Sequence, residues 1–118
     1  MPHSIAVHAP INVAALDERD PEAGNASHSY AIQYGGPDDV CYVQFQHGPR
    51  GVEGSTPGVF DDALLAIIED RLIGFQSGPY ACPENQAALN AVRDARAALS
   101  SRVANRMAKS VLGVNAVH

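Results

Sequence analysis

The spacing of hydrophobic and polar positions first indicates a β-hairpin. Apolar and polar residues alternate from residue 29 up to a turn segment rich in Gly, Pro and Asp, and a second β-prone run follows that turn. Two such runs around a turn predict a hairpin over residues 29–46. The next segment, residues 47–58, is dense in Gly and Pro, which predicts a loop from which Arg50 projects.

Two later stretches have helical spacing. The first, at about 60–75, opens on Asp61 and Asp62, where the helix dipole favours carboxylates. Its apolar residues cover more than one narrow stripe, so we expect a core helix covered on two sides. Pro83 suits the first position of a second helix, and no breaker follows until about residue 110. The pattern therefore predicts a helix over about 83–110, on the order of 40 Å long.

Residues 1–28 show no sustained period and contain three Pro. They predict a mobile N-terminal arm, in which residues 5–7 can add a short edge strand. Residues 29–118 then form a single domain. The expected fold class is α+β, with an N-terminal β-hairpin packed on a medium core helix and one long C-terminal helix that dimerises.

The dimer follows from the length of the second helix. A rod of about 40 Å is too long to be covered by one hairpin and one helix of about 15 residues, so its Ala-rich middle should pack on another chain. Its ends are polar, with Asn85 about 26 to 32 Å from Arg102 and Arg106. Antiparallel helices across a two-fold axis would bring Asn85 of one subunit near both Arg of the other, forming two identical pockets. The stripe is Asn85, Ala88, Val92, Ala95, Leu99, Arg102 and Arg106.

Length and composition limit the class of protein. The chain has 118 residues and a mass of 12.4 kDa, the size of one ordinary domain, and 46% of its residues are hydrophobic, which excludes a wholly disordered chain. The longest apolar run is residues 63–68, far below the roughly 20 residues that span a bilayer. The N-terminus has no Lys or Arg before an apolar stretch and predicts no signal peptide, so we expect a cytosolic protein.

The charge is distributed unevenly. The net charge is -5, but residues 1–85 carry three Arg against twelve acids, whereas residues 86–118 carry five basic residues against Asp94 alone. Two interpretations are open. The basic segment either docks on acidic residues of the same fold or of a second copy, or it forms an anion site, since seven of the eight basic residues are Arg. Nucleic acid is disfavoured, because the chain is acidic overall and has no basic and aromatic stripe.

Candidate catalytic and metal-binding groups are sparse. Cys41 and Cys82 have no CxxC spacing and are interpreted as small buried residues. The five His lie mostly in the arm or at the tail, and His47 is interpreted as a surface residue at a turn. Adjacent acids such as Asp61 and Asp62 are interpreted as residues of helix starts and turns rather than as catalytic carboxylates. We therefore predict no enzyme, no metal and no cofactor.

Three strings carry a resemblance: VQFQHGP at 43–49, DALLAIIEDRL at 62–72 and GFQSGPYACPEN at 74–85. They resemble the phage Thoeris anti-defence proteins of the first-described type, a family grouped with anti-CBASS cyclic-nucleotide sponges. The resemblance covers about residues 30–114. The third string is the most specific, because it joins a helix end, a turn and a helix start at fixed spacing.

The resemblance implies a non-catalytic protein that sequesters cyclic ADP-ribose messengers made by TIR-domain proteins, in the cytoplasm of an infected bacterium. It implies dimers, or hexamers built from such dimers, and in some relatives binding of cyclic di- or trinucleotides. A messenger-cleaving enzyme and a structural or host-binding phage component are the alternatives. The site residues that it implies are Phe75 for stacking, Asn85 for base or ribose, Arg102 and Arg106 for the pyrophosphate, and Arg50 from the loop. Without the resemblance, Phe75 is interpreted as a core residue and Asn85 as a side chain that hydrogen-bonds at the start of a helix. Arg102 and Arg106 are then part of a solvated helix face.

Overall fold

The computed structural model describes residues 3–7 and 11–111, with side chains up to residue 105. The chain divides into two compact units, residues 1–60 and 61–118. The first unit contains a β-sheet and the second a pair of helices, so the predicted α+β class is confirmed. The strands and helices are β1 (Ser4–Ile5), β2 (Asn12–Ala15), β3 (Ser29–Gln33), β4 (Val40–Gln44), α1 (Asp61–Gln76) and α2 (Pro83–Val111).

The sheet is a four-stranded antiparallel meander in the order β1-β2-β3-β4. The predicted hairpin is confirmed as β3 and β4, in which Ser29 lies opposite Gln44 and Gln33 opposite Val40. Its turn is closed by hydrogen bonds from the Tyr34 N–H to the Asp39 carbonyl and from the Gly36 N–H to the Asp39 carboxylate. The Gly and Asp of the turn thus replace the strand ladder with local hydrogen bonds.

Residues 1–28 differ from the predicted arm, because they supply β1, β2 and a short 3-10 turn at Pro21–Ala23. Strand β2 pairs along its whole length with β3, and Ala15 at its end is only 1% exposed. The predicted short edge strand at residues 5–7 corresponds to β1, although it is assigned to Ser4–Ile5. The boundary between the two units, after residue 60, also falls inside the segment that the sequence pattern treats as one domain.

Asp17 ties the segment after β2 to the start of β3. Its carboxylate accepts hydrogen bonds from the backbone N–H groups of His28 at 2.9 and 3.0 Å and of Ser29 at 3.0 Å. The Ser27 hydroxyl donates in turn to the Asp17 carbonyl. Burial opposes ionisation of Asp17, but these backbone donors outweigh it and lower the pKa of its carboxyl. The carboxylate therefore stays ionised at neutral pH.

The loop at residues 47–58 folds back on the end of the sheet. His47 and Thr56 exchange two backbone hydrogen bonds, of 2.8 and 2.9 Å, and Phe45 pairs with Val59. A side chain at Gly58 would collide with the backbone of Gln44 and Phe45, so this close approach requires glycine. Backbone hydrogen bonds therefore hold the two ends of the loop together, which agrees with the constrained backbone predicted around Arg50.

Helices α1 and α2 form an antiparallel hairpin joined by residues 77–82. Gln76, at the end of α1, contacts Gln86 in the first turns of α2, while Asp62 near the start of α1 contacts Arg96. The part of α2 beyond about residue 100 therefore extends past the start of α1, by roughly 15 Å. In the described part of the chain, neither helix has a stretch both long and apolar enough to span a bilayer.

The face of α2 that packs on α1 is centred on Leu89, which is 4% exposed. The predicted stripe omits Leu89 and includes Ala88, which is exposed. Helix α1 is also more exposed than predicted, since Ile67 and Ile68 keep 57% and 44% of their surface accessible in the single chain. Packing on α2 alone therefore leaves part of the apolar surface of α1 accessible.

Candidate functional site

The candidate site is the turn between α1 and α2, where the most specific of the three strings lies. The Gln76 side chain spans the turn: its Oε1 accepts from the Cys82 N–H at 3.0 Å, and its Nε2 donates to Gln86 Oε1 at 3.2 Å. The Cys82 sulfur accepts from the Asn85 N–H at 3.4 Å. Cys82 thus acts as the N-cap of α2, directly before Pro83 at its first position.

An aromatic and cationic cluster lies beside this turn. The Phe75 and Tyr80 rings meet edge to face, with centroids 6.4 Å apart and planes at 83°. The Arg71 guanidinium carbon lies 5.4 Å from the Phe75 ring centroid, four residues earlier on α1. Phe75 is half-buried, whereas Tyr80 is 74% exposed. The exposed Tyr80 ring and the Arg71 guanidinium are therefore available to a flat, anionic ligand.

Asn85 joins the same cluster from the first turn of α2. Its Nδ2 donates to the Tyr80 carbonyl at 3.2 Å, which fixes the side chain above the turn. Among the described residues its Oδ1 receives no hydrogen bond, so this oxygen can accept one from a ligand hydroxyl or amine. The structure therefore brings together two of the five predicted site residues, Phe75 and Asn85.

The three remaining site residues lie elsewhere in the chain. Arg102 is exposed on the part of α2 that extends past α1, and its guanidinium has no carboxylate partner within the described side chains. Arg106 also belongs to α2, but its side chain lies outside the described residues. Arg50 is in the first unit, where it donates to the Gly58 carbonyl at 3.2 Å and covers the Phe60 ring at 5.2 Å.

The basic segment of α2 contains Arg residues of two kinds, those paired with acids of α1 and those without such a partner among the described side chains. Arg93 and Arg96 pair with α1: Arg93 Nε lies 3.2 Å from Glu69, and Arg96 bridges Glu69 and Asp62. The hydrogen bonds that Arg96 donates to Asp62 and Glu69 lower the pKa of both carboxyls and raise the pKa of Arg96 itself. Arg93 and Arg96 therefore pair with acids of the same fold, whereas Arg102 has no acidic partner among the described side chains.

Sequence reasoning missed Arg71 and Tyr80 as members of the cluster. Arg71 and Phe75 are four residues apart, the spacing that places two side chains on one helix face, and this signal could have found the pair. Tyr80 is inside the most specific string, but its contact with Phe75 depends on the path of the turn, which local spacing does not determine.

Two interpretations of individual residues are corrected. Cys41 is exposed on β4 rather than buried, next to the likewise exposed Tyr42, and Cys82 is half-buried as a helix cap. His47 is not a simple surface residue, because its ring stacks on that of buried His28 with centroids 4.0 Å apart. The two His are 19 positions apart in the sequence, and only the pairing of β3 with β4 brings them together.

A helical hairpin closed by a capped turn, following a small antiparallel sheet, is the class of architecture that these features define. Residues 37–104, which include β4, α1 and most of α2, match the family described as Acb2/Tad1, hairpin domain. The chain belongs to this family. It is also 34% identical over 76 residues to the protein named Thoeris anti-defense 1 from Bacillus phage SBSphiJ7. That alignment covers 64% of this chain and 53% of the relative, so the chain spans about half the relative's length.

Proposed function

We propose that this protein is a phage anti-defence protein that binds cyclic ADP-ribose messengers made by TIR-domain proteins and sequesters them without cleavage, in the cytoplasm of the infected host. The observation that carries the proposal is the cluster of Phe75, Tyr80, Arg71 and Asn85 at the α1–α2 turn. Membership of the Acb2/Tad1 family and similarity to a phage Thoeris anti-defence protein support it.

The chemistry of the cluster suits an adenine nucleotide. Phe75 and the exposed Tyr80 offer ring faces for a purine, and Asn85 Oδ1 offers an acceptor for an exocyclic amine or a ribose hydroxyl. Arg71 lies over Phe75 in a cation–π contact, and no ion pair joins it to a carboxylate among the described side chains. A ligand phosphate can therefore recruit it without first breaking a salt bridge.

The pyrophosphate contacts come from a second chain in this proposal. Asn85 and Arg102 are 17 positions apart on one straight helix, about 26 Å, so a small ligand cannot contact both in one protomer. An antiparallel homodimer would place Arg102 and Arg106 of the partner beside Asn85. The exposed Ile67 and Ile68 and the extension of α2 past α1 support such an assembly, because both leave apolar helix surface to be covered.

The test is a thermal-shift panel with cyclic ADP-ribose isomers, linear ADP-ribose, NAD and cyclic di- and trinucleotides. The proposal predicts a rise in melting temperature with a cyclic ADP-ribose isomer, because a ligand that binds the folded state stabilises it by mass action. Phe75→Leu and Arg102→Ala should reduce the shift. Arg93→Ala is the matched control, since Arg93 is an exposed Arg on the same helix that pairs with Glu69.

Three other outcomes of the thermal-shift panel would contradict parts of the proposal. A shift confined to cyclic di- or trinucleotides would contradict the cyclic ADP-ribose assignment and indicate an anti-CBASS sponge. No shift with any nucleotide would contradict the proposal and favour a structural or host-binding role. Equal loss of the shift in Arg93→Ala and Arg102→Ala would contradict the assignment of Arg102 to the phosphate.

A further inference from the structure

The sheet unit contains a cluster of metal-ligating side chains that is unrelated to the helix turn. Asp17, His28 and His47 each present a ligand atom, and these atoms all lie within 4.8 Å of one another. The rings of His28 and His47 are nearly parallel, at 7°, with centroids 4.0 Å apart. Three segments meet here: the residues after β2, the start of β3 and the residues after β4.

His28 is the unusual member. The residue is 8% exposed, and its Nδ1 is fully buried with no hydrogen-bond partner in the described part of the chain. A buried imidazole nitrogen without a partner loses the hydration that it has in the unfolded chain and gains nothing in return. A cation bound to that nitrogen would compensate this loss.

Asp17 keeps capacity for a further ligand. Its Oδ1 accepts from the His28 and Ser29 N–H groups, and its Oδ2 accepts only the second branch of the His28 bond among the described donors. An ionised carboxylate has about four lone-pair sites, so a site remains on Oδ2. Because backbone donors hold the carboxylate in place, its position does not depend on the cation.

His47 is oriented by a second carboxylate. Its Nε2 lies 2.9 Å from Asp20 Oδ2, at a side-chain exposure of 35%. If Nε2 carries the proton and donates to Asp20, the lone pair is on Nδ1, and this is the carboxylate–histidine–metal arrangement of zinc sites. Asp20 is thereby a positioning residue, and the same hydrogen bond lowers the pKa of its carboxyl, which keeps it ionised.

We infer that Asp17, His28 and His47 form a binding site for a divalent transition-metal ion, with Zn²⁺ as its best match. Two imidazoles and a carboxylate are ligands that Zn²⁺ prefers, and three protein ligands leave a fourth position for water. An open cavity of about 370 Å³ is lined by His47 and Asp20, so solvent reaches the His47 side of the cluster.

Metal binding would require a defined side-chain movement. Bonds of about 2.0 to 2.1 Å in a tetrahedron place ligand atoms about 3.3 Å apart, so the present spread of up to 4.8 Å must contract. An imidazole binds a metal in the plane of its ring, and therefore one ring must turn out of the parallel stack. His47 lines the open cavity whereas His28 is buried, so His47 is the ring that would turn, about its Cβ–Cγ bond, which keeps Nε2 near Asp20.

The test uses the full-length, tag-free protein, stripped with a chelator and titrated with Zn²⁺ against a competing chromophoric chelator. One equivalent per protomer is expected, together with a rise in melting temperature. Co²⁺ should give the intense visible absorption of a tetrahedral site. His47→Gln should weaken Zn²⁺ binding at least tenfold, and Asp20→Asn should weaken it about tenfold while keeping the Co²⁺ spectrum.

His3→Gln is the matched control, because His3 is a partly exposed His of the same unit outside the cluster. It should bind Zn²⁺ like the unmodified protein. Absence of saturable binding at micromolar Zn²⁺ would overturn the inference, and so would equal affinity in His47→Gln. Unchanged circular dichroism of His47→Gln in the absence of metal separates lost ligation from lost folding. The inference is independent of the proposed nucleotide site, and neither result decides the other.

Discussion

Arg96 of α2 donates two hydrogen bonds to the carboxylate of Asp62 in α1, from Nε to Oδ1 at 2.9 Å and from Nη2 to Oδ2 at 3.3 Å. The same guanidinium also donates to Glu69, two turns further along α1. A two-pronged contact of this kind fixes orientation as well as distance. It therefore sets the register in which the two helices lie side by side, and with it the length of α2 that extends past α1.

We predict that this contact makes the stability of the helical hairpin depend on acidic pH. The pKa values of Asp62 and Glu69 are lowered in the fold, chiefly by hydrogen bonds from Arg96. Carboxyls with lowered pKa values stabilise the fold at neutral pH, and this stabilisation is lost as the pH falls from the ordinary values of 3.8 for Asp62 and 4.5 for Glu69 through the lowered ones. Arg96→Gln should lower the urea midpoint, followed by helix circular dichroism, more at pH 7 than at pH 3.

Arg102→Gln is the control for this prediction, because Arg102 is on the same helix without a carboxylate partner among the described residues. Its urea midpoint should match that of the unmodified protein at both pH values. A deficit in Arg96→Gln that is the same at pH 3 and pH 7 would show that Arg96 acts through packing of its stem rather than through its charge.

Leu89 is predicted to dominate the packing between α1 and α2. Leu89→Ala should destabilise the helical hairpin by about 2 to 4 kcal/mol, since a nearly fully buried Leu loses its contacts and leaves a cavity. Val103→Ala, on the same helix at 50% exposure, should change stability by less than about 0.5 kcal/mol. Urea unfolding checks both, and equal effects of the two variants would contradict the assigned helix face.

We predict that the Cys82 sulfur stabilises α2 as its N-cap. Cys82→Ala removes the acceptor of the Asn85 N–H and should cost about 0.5 to 1 kcal/mol, whereas Cys82→Ser keeps a side-chain acceptor at the N-cap and should cost less. Cys41→Ala, at an exposed strand position, should be nearly neutral. Thermal unfolding distinguishes the three variants, and a serine variant as unstable as the alanine variant would argue against capping.

The helices were largely predictable because their ends carry local signals. Asp61 and Asp62 mark the start of α1, Pro83 marks the start of α2, and both boundaries agree with the structure to within a residue. Strand β2 was not predictable in this way, since Asn12–Ala15 is short and half Ala, and its identity comes from pairing with β3. Pairing between distant segments leaves no periodic signal in the strand itself.

The candidate site was predictable only in part for the same reason. Asn85 came from the polar end of the helical stripe, the resemblance assigned ligand contacts to it and to Phe75, and the structure places both residues at one turn. Leu89 was missed because the predicted stripe followed the neighbouring row of α2, through Ala88. His28 and His47 meet only across the β3–β4 ladder, so their stacking could not be derived from spacing.

The two-chain pocket predicts complementation between defective subunits. Asn85→Ala and Arg102→Ala should each weaken messenger binding as pure homodimers, because every pocket then lacks one partner. After the two variants are unfolded together and refolded, mixed dimers should regain one intact pocket each, from the chains that keep the needed residue. Calorimetry would detect tight sites in about a quarter of all pockets, since half of the dimers are mixed. No regained tight binding would contradict a pocket shared between subunits.

The central claim, binding of a messenger without cleavage, is tested most directly by recovering the ligand. Purified protein is saturated with a cyclic ADP-ribose isomer, freed of excess nucleotide, held for hours and then denatured by heat, and the released nucleotide is identified by chromatography and mass spectrometry. We predict intact cyclic messenger in a fixed ratio to protomers. Linear ADP-ribose or another product in its place would show an enzyme and contradict the account, as would the absence of any retained nucleotide.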